Sequence, residues 1–406
     1  MNQQHTLFHL TQSMNIPGFY VSNVSSDCDC FSIFLQRRNH CARCSSCGKY
    51  CGRFYDSKFR YIRDLDWGWR VVFLCVKAVR VQCPHCGIQT ERLPFSLFRS
   101  SFTKRFGFYV SHLCQMMTRA DVAEFIGISE DTVGRIEWEH LNSQWKDRKG
   151  WSEVHRFRMD EIASKKGHNY MTVISDIDSG TVIEVIEGRT LVALSACFET
   201  ISLRYRKKVV CACIDMSRSY RAAISKWFPK AKIVFDRFHI VKHLNEALDD
   251  VRKLFKRKSK STEVGKWKHT QRALGKNPEN LTKQQLEALM WIRKEKPDLF
   301  MVYQMKESFR KLWEYPTKRG AEIFLTRWIK KMKNLGYNDM IKFCKMVERH
   351  REGILNYYLE RVTNGPQEGF NNKLNVLRRK AYGYRNMDWF SLKIYQASVP
   401  KYDAHT

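Results

Sequence analysis

Residues 209–243 constrain the fold of this 406-residue chain more than any other stretch. They run Val209-Val-Cys-Ala-Cys-Ile-Asp215, then Met216 through Pro229, then Lys232-Ile-Val-Phe-Asp236-Arg-Phe-His239. The first apolar run follows Lys207 and Lys208 and ends in a carboxylate. The middle segment keeps helical spacing through Tyr220, Ala223, Ile224 and Trp227 until Pro229 stops it, and the second apolar run ends in another carboxylate. This is a strand, a helix and a strand. Short apolar, β-branched runs of this kind suit parallel strands buried on both faces, and such sheets carry functional groups just beyond the carboxyl ends of their strands. Asp215 and Asp236 both fall there.

The flanking sequence extends the pattern. Arg156-Phe-Arg-Met-Asp160-Glu-Ile-Ala reads as a first strand that bears a carboxylate. Tyr170–Ser175 and Val182–Glu187 read as two more strands, joined by the turn-rich Asp176-Ile-Asp-Ser-Gly180 of a hairpin, and residues 190–202 as a helix. Three strands in hairpins, then helix, strand, helix and strand, give the element order of a ribonuclease H-like fold. There the first and fourth strands are parallel neighbours, so Asp160 and Asp215 are expected to meet. Residues 244–362 carry a helical pattern, contain Trp267, Trp291, Trp313 and Trp328, and include six cationic side chains in the nine residues from Arg252 to Lys260. An all-helical insertion that grips phosphates and an ordinary solvated face are equally compatible with that run. Gly365-Pro366 then opens a helix with Glu368 in its first turn and Lys373, Arg378 and Arg379 further on.

Two Cys-x-x-Cys pairs, Cys44/Cys47 and Cys83/Cys86, are each followed by a glycine, the arrangement of a zinc ribbon holding one structural ion. Cys41 is spaced equally from Cys44. Gly48 after Cys47, matching Gly87 after Cys86, favours Cys47. Further on, Thr118 and Ser129 are N-caps and Gly127 a turn between two short helices, a helix-turn-helix pattern. Its second helix presents Thr132 and Arg135 for contact with DNA, beside the basic flank from Lys146 to Lys149.

The formal charge of +30 implies a polyanionic partner, with nucleic acid first. No apolar run approaches the ~20 residues of a membrane span. The N-terminus lacks the basic and apolar regions of a secretory signal, so the 14 cysteines are read as metal ligands and buried thiols in a cytoplasmic chain.

Asp160, Asp215 and Glu368 suit phosphodiester chemistry assisted by two magnesium or manganese ions, which take oxygen ligands. A resemblance then unites the chain. Met159 to Tyr170, Ile214-Asp-Met-Ser, Phe228-Pro229, Phe235-Asp-Arg-Phe-His239 and Gln367-Glu-Gly-Phe-Asn-Asn-Lys373, together with the cysteine pairs, resemble in order the ISL-three family of insertion-sequence transposases. The resemblance implies a bacterial DNA transposase of the DDE class with Asp160, Asp215 and Glu368 as catalytic ligands of two metal ions. It also makes Asp236 and His239 an auxiliary motif. Asn375 departs from the Lys that relatives often carry.

The resulting expectation is a multidomain α+β and α/β chain. Residues 1–100 form a zinc ribbon, 101–150 a helix-turn-helix, 151–243 and 363–406 a ribonuclease H-like mixed-sheet core, and 244–362 an all-helical insertion that contributes Lys253 and Arg257 to DNA binding. The partners are inverted-repeat ends and target DNA, bound by a homodimer at the nucleoid and away from membranes. A non-catalytic repressor or decayed element product, and a structure-specific nuclease with the same core, are the rival readings.

Overall fold

The computed structural model describes residues 3–97, 100–146, 150–163, 170–362, 365–380 and 386–399, with side chains of the 365–380 helix described from Gly369 onward. The quoted 164–169 segment and the 147–149 basic flank lie outside the described residues. Residues group into two compact units, 1–148 with 377–397, and 149–376 with 398–406.

The first unit is built on the strand Val71–Cys83. Parallel to it runs Cys30–Arg37, and antiparallel to it run Phe54–Arg63 and Gly87–Thr90. Phe19–Ser26 completes the five-stranded sheet. Alternation does the sorting. Val72, Leu74 and Val76 face the buried side with Ile33, Leu35 and Ile62, over which Met14 and Phe19 pack.

Three helices follow, Lys104–Met116, Arg119–Ile126 and Glu130–Lys146, around Phe106, Val110, Val122, Ile126, Val133 and Ile136. Their boundaries obey local rules. Thr118 and Asp121 form a reciprocal capping box at 3.1 and 3.2 Å. Gly127 ends its helix at φ 72°, a left-handed conformation that costs a residue with Cβ. Ser129 Oγ accepts from the Thr132 N–H at 3.3 Å.

One placement differs from the sequence expectation. The helix Met387–Ser398, assigned by sequence to the catalytic core, packs on this trio. Lys393 Nζ lies 2.6 Å from Glu137 Oε1 with both side chains buried, Gln396 donates to Ser111 Oγ at 2.8 Å, and the Arg119 guanidinium lies 3.7 Å from the Trp389 ring centre. A buried ion pair of this kind requires its partner, so the helix is tied to these residues. Nothing in the local periodicity of 387–398 specifies that partner.

The second unit contains a five-stranded sheet in the order Val182–Glu187, Tyr170–Asp176, Arg156–Ala163, Cys211–Ile214, Lys232–Phe235. In chain order this is third, second, first, fourth, fifth. The first three strands are antiparallel, and the fourth runs parallel to both the first and the fifth. The expected adjacency of first and fourth strands is therefore present. The helices Leu191–Glu199 and Arg218–Trp227 cover one face, where Trp151, Phe157, Phe198 and Phe228 interlock at ring separations of 5.0–6.2 Å.

Residues 244–362 are helical throughout apart from turns, but they do not form a separate core. One hydrophobic cluster runs from Phe157 and Ile214 through Leu248, Trp267 and Leu299 to Trp328 and Leu355. The helix Arg237–Arg257 starts directly at the fifth strand and passes through the boundary expected at 243/244. The returning segment packs on that strand: a Cβ on Gly353 would collide with the Phe235 ring, and Asn356 Nδ2 donates to Ile233 O at 3.0 Å. Trp267, Trp313 and Trp328 are buried core residues.

Candidate active site and cysteine cluster

The first, fourth and fifth strands of the second unit bring their carboxylates to one edge. Cys213 pairs with Arg158 across the parallel ladder, and continuing that register two residues sets Asp215 beside Asp160. Asp236 follows the fifth strand and caps the next helix, its Oδ1 accepting from the Phe238 N–H at 3.0 Å. One turn into that helix, His239 Nε2 stands 3.8 Å from Asp160 Oδ1 and 3.7 Å from Asp236 Oδ2. These are ion-pair rather than hydrogen-bond separations.

The electrostatics follow from crowding. Burial pushes the Asp215 carboxyl above its ordinary pKa, and the charges of Glu161 and Asp160 push the same way, partly offset by the Ser217 N–H and by His239. Asp160, ahead of Asp236 and Asp215, raises the pKa of His239 against the effect of its burial. Hard carboxylate oxygens gathered in a half-buried recess fit magnesium or manganese better than a soft metal.

Asn371 belongs to the Gln367–Lys373 motif, in which the sequence assigns it no role. Its Nδ2 donates to Asp160 Oδ2 at 2.6 Å. The clue was the Glu368-x-x-Asn371 spacing, one helical turn. Glu368 lies in the helix Gly365–Lys380, and its side chain is outside the described residues. A second residue that the sequence did not mark is Glu161, which pairs with Arg189 at 3.0 Å beside the carboxylates.

The cysteine pairs lie in the first unit. Cys44 and Cys47 sit between the short strands Ala42–Arg43 and Tyr50–Cys51, while Cys83 ends the strand Val71–Cys83 and Cys86 lies in the turn before Gly87–Thr90. Gly48 and Gly87 adopt φ of +74° and +71°, the left-handed conformation that lets each turn close behind its sulfurs. The four Sγ atoms lie within 4.8 Å of one another, and Cys41 is not among them. Backbone N–H groups led by that of His85 hold the Cys83 thiol down to about 6, while Cys47 and burial push Cys86 up to about 12. Four soft donors this close repel one another as thiolates unless a cation sits between them, which is the donor set of a structural zinc site.

The expected DNA contacts have mixed positions. Arg135 and Arg257 are exposed. The Thr132 hydroxyl is 2.8 Å from Ser129 Oγ within the cap. Lys253 Nζ pairs with Asp249 and Asp250 at 3.1 and 2.8 Å, so its charge is largely spent inside its own helix. Lys373 and Arg379 are exposed and Arg378 half-buried on the helix that carries Asn371. Among the described residues no helix is long and apolar enough to cross a membrane.

Comparison with known proteins adds three findings. The ISL-three family model of DDE enzymes, described as "Transposase", matches residues 158–394, more than half of the chain. The chain is 29% identical over 374 residues to the transposase for insertion sequence element IS1001 of Bordetella parapertussis, covering 91% of each. It is 28% identical over 369 residues to the transposase for insertion sequence element IS1557 of Mycobacterium tuberculosis, covering 85% of this chain and 83% of the relative. Among solved structures, the catalytic core domain of BIV integrase aligns with 39% of this chain and 98% of its own at 14% identity and a TM-score of 0.17.

Proposed function

The chain belongs to the ISL-three family of insertion-sequence transposases, and from that premise we propose that it binds the inverted-repeat ends of its element and cuts and joins DNA there with Asp160, Asp215 and Glu368. The observation that carries this reading is the hydrogen bond from Asn371 to Asp160, which ties the helix bearing Glu368 to the strand edge where Asp160 and Asp215 adjoin. Two divalent ions bound by these carboxylates would neutralise phosphoryl charge and favour the attacking and leaving oxygens. Asn371 fixes the rotamer of Asp160 and leaves Oδ1 directed elsewhere. His239, whose pKa is raised chiefly by Asp160 and then by Asp236, stands between those two carboxylates and orients both. Asp236 acts through His239 rather than on the phosphate.

In the same reading, zinc held by Cys44, Cys47, Cys83 and Cys86 stiffens the N-terminal sheet, and Arg135 on the second helix of the helix-turn-helix contacts base edges or phosphates. Arg257, Lys373, Arg378 and Arg379 hold the backbone of DNA, and two copies pair the two ends.

The decisive assay incubates purified protein and Mg²⁺ with a labelled duplex ending in the inverted repeat that flanks its gene, beside Asp215→Asn. Nicked and joined products from wild type and none from Asp215→Asn are expected. Binding without cleavage would identify a repressor, cleavage without joining a nuclease, and equal activity of the variant would remove Asp215 from the chemistry.

A further inference from the structure

A cavity of about 770 Å³ opens between the carboxylate edge and the helices of 244–362, lined by Asp160, Asp236 and Asn371 on one side and Asn277 and Arg310 on the other. That is within the range of sites that enclose a small organic ligand. Two adjacent residues at its wall, Arg237 and Phe238, have no part in the carboxylate chemistry. Phe238 is 49% exposed although it lines a cavity beside a buried cluster, so core packing does not account for it. Arg237 is exposed, and its guanidinium lies 4.8 Å from the ring centre of the buried Trp313. Of the wall's other cations, Lys242 is also exposed, whereas Lys306 and Arg310 are committed elsewhere. Lys306 donates to the carbonyls of Leu274 and Lys276 at 3.0 and 3.4 Å, and Arg310 pairs with Glu279 and Glu307 at 3.0 and 3.1 Å.

An exposed aromatic face, a cation oriented by a tryptophan and an adjacent carboxylate edge match the parts of one nucleotide. We propose that this cavity receives an unpaired nucleotide, whose base leaves the duplex at the cut end and stacks on Phe238 while the neighbouring phosphate meets Arg237. The inference rests on the transposase reading and goes beyond it by giving the helical segment a second duty: Trp313 supplies the platform that aims Arg237. Chemistry on a duplex end needs the strand drawn out of the stack, and an aromatic ring holds any base because every base has a π-face. The geometry also allows a smaller role for Phe238, since its ring packs edge-on against His239 at 5.4 Å and could serve only to steady the imidazole.

The test separates the two. Duplexes carrying the terminal inverted repeat, with thymine as the last base of the transferred strand, are prepared fully paired and with that base mismatched. In Ca²⁺, wild type should make the terminal thymine of the paired duplex reactive to permanganate, and Phe238→Ala should not. In Mg²⁺, Phe238→Ala should cleave the paired end about 10-fold more slowly but recover most of the loss on the mismatched end, while Phe238→Trp keeps wild-type behaviour on both. Arg237→Gln should slow both ends alike, as a lost phosphate contact does. An unreactive thymine with wild type, or an equal loss by Phe238→Ala on paired and mismatched ends, would overturn the proposal and leave Phe238 as a support for His239. Absence of cleavage by wild type would count against the transposase reading alone, since the permanganate arm reads base extrusion without cleavage.

Discussion

At the scale of single residues, the candidate site rests on contacts that are short, partly buried and charged. Asn371 illustrates the point, because an amide donating to a carboxylate is stronger than a neutral hydrogen bond. Replacing it by alanine should leave the circular dichroism spectrum unchanged and slow strand cleavage about 10- to 100-fold, the loss expected for a hydrogen bond to a charged group. A rate within twofold of wild type would remove Asn371 from the site. His140 carries a different prediction. It is buried in the helix Glu130–Lys146 against Phe108, and burial depresses its pKa from 6.5 to about 4. A depressed histidine favours the neutral form in the folded state, so the unfolded chain binds the proton first on acidification. Stability is therefore complete above pH 6.5 and falls as pH drops from 6.5 towards 4, by roughly 2–3 kcal/mol. His140→Phe should flatten that part of the pH–stability profile of the first unit in urea unfolding, and an unchanged slope would contradict the assignment.

At the scale of elements, local rules set most boundaries. Capping at Thr118 and Ser129, the left-handed Gly127, and the two glycines behind the cysteine pairs were legible because each depends on a few consecutive residues. The cysteine knuckles yield the next prediction. Wild type should carry about one zinc per chain by atomic absorption, Cys47→Ser and Cys83→Ser well under one, and Cys41→Ser the wild-type amount. Metal lost with Cys41→Ser and kept with Cys47→Ser would reverse the choice between those thiols. Less legible was the helix Met387–Ser398. Its sequence is helical, but its docking depends on Glu137, Ser111 and Arg119, which lie more than 250 residues earlier.

At the scale of the molecule, the charge of +30 has to be accounted for. Ion pairs such as those of Lys253, Lys306 and Arg310 join cations to carboxylates already subtracted in that net figure, so they leave the excess intact. Arg135, Arg257, Lys373 and Arg379 are exposed. If these four residues meet phosphates, affinity for the inverted-repeat duplex should fall by about 10²-fold between 50 and 200 mM salt, through counterion release. A nearly flat log–log plot from fluorescence anisotropy would exclude a phosphate-dominated interface. The resemblance of the motifs to transposases was sound, since the family match covers most of the chain's second half.

The sequence by itself determined the strand-helix-strand unit around Asp215, the adjacency of the first and fourth strands, and the glycine-backed cysteine pairs. Periodicity, turn chemistry and spacing are local properties, and they act before distant parts of the chain meet. Only the tertiary structure decided that Asn371 bonds to Asp160, that the helices of 244–362 share one core with the sheet, that the last helix joins the first unit, and that Phe238 faces a cavity. Those outcomes depend on which buried surfaces and charges find each other, and many pairings of amphipathic helices satisfy the same local pattern.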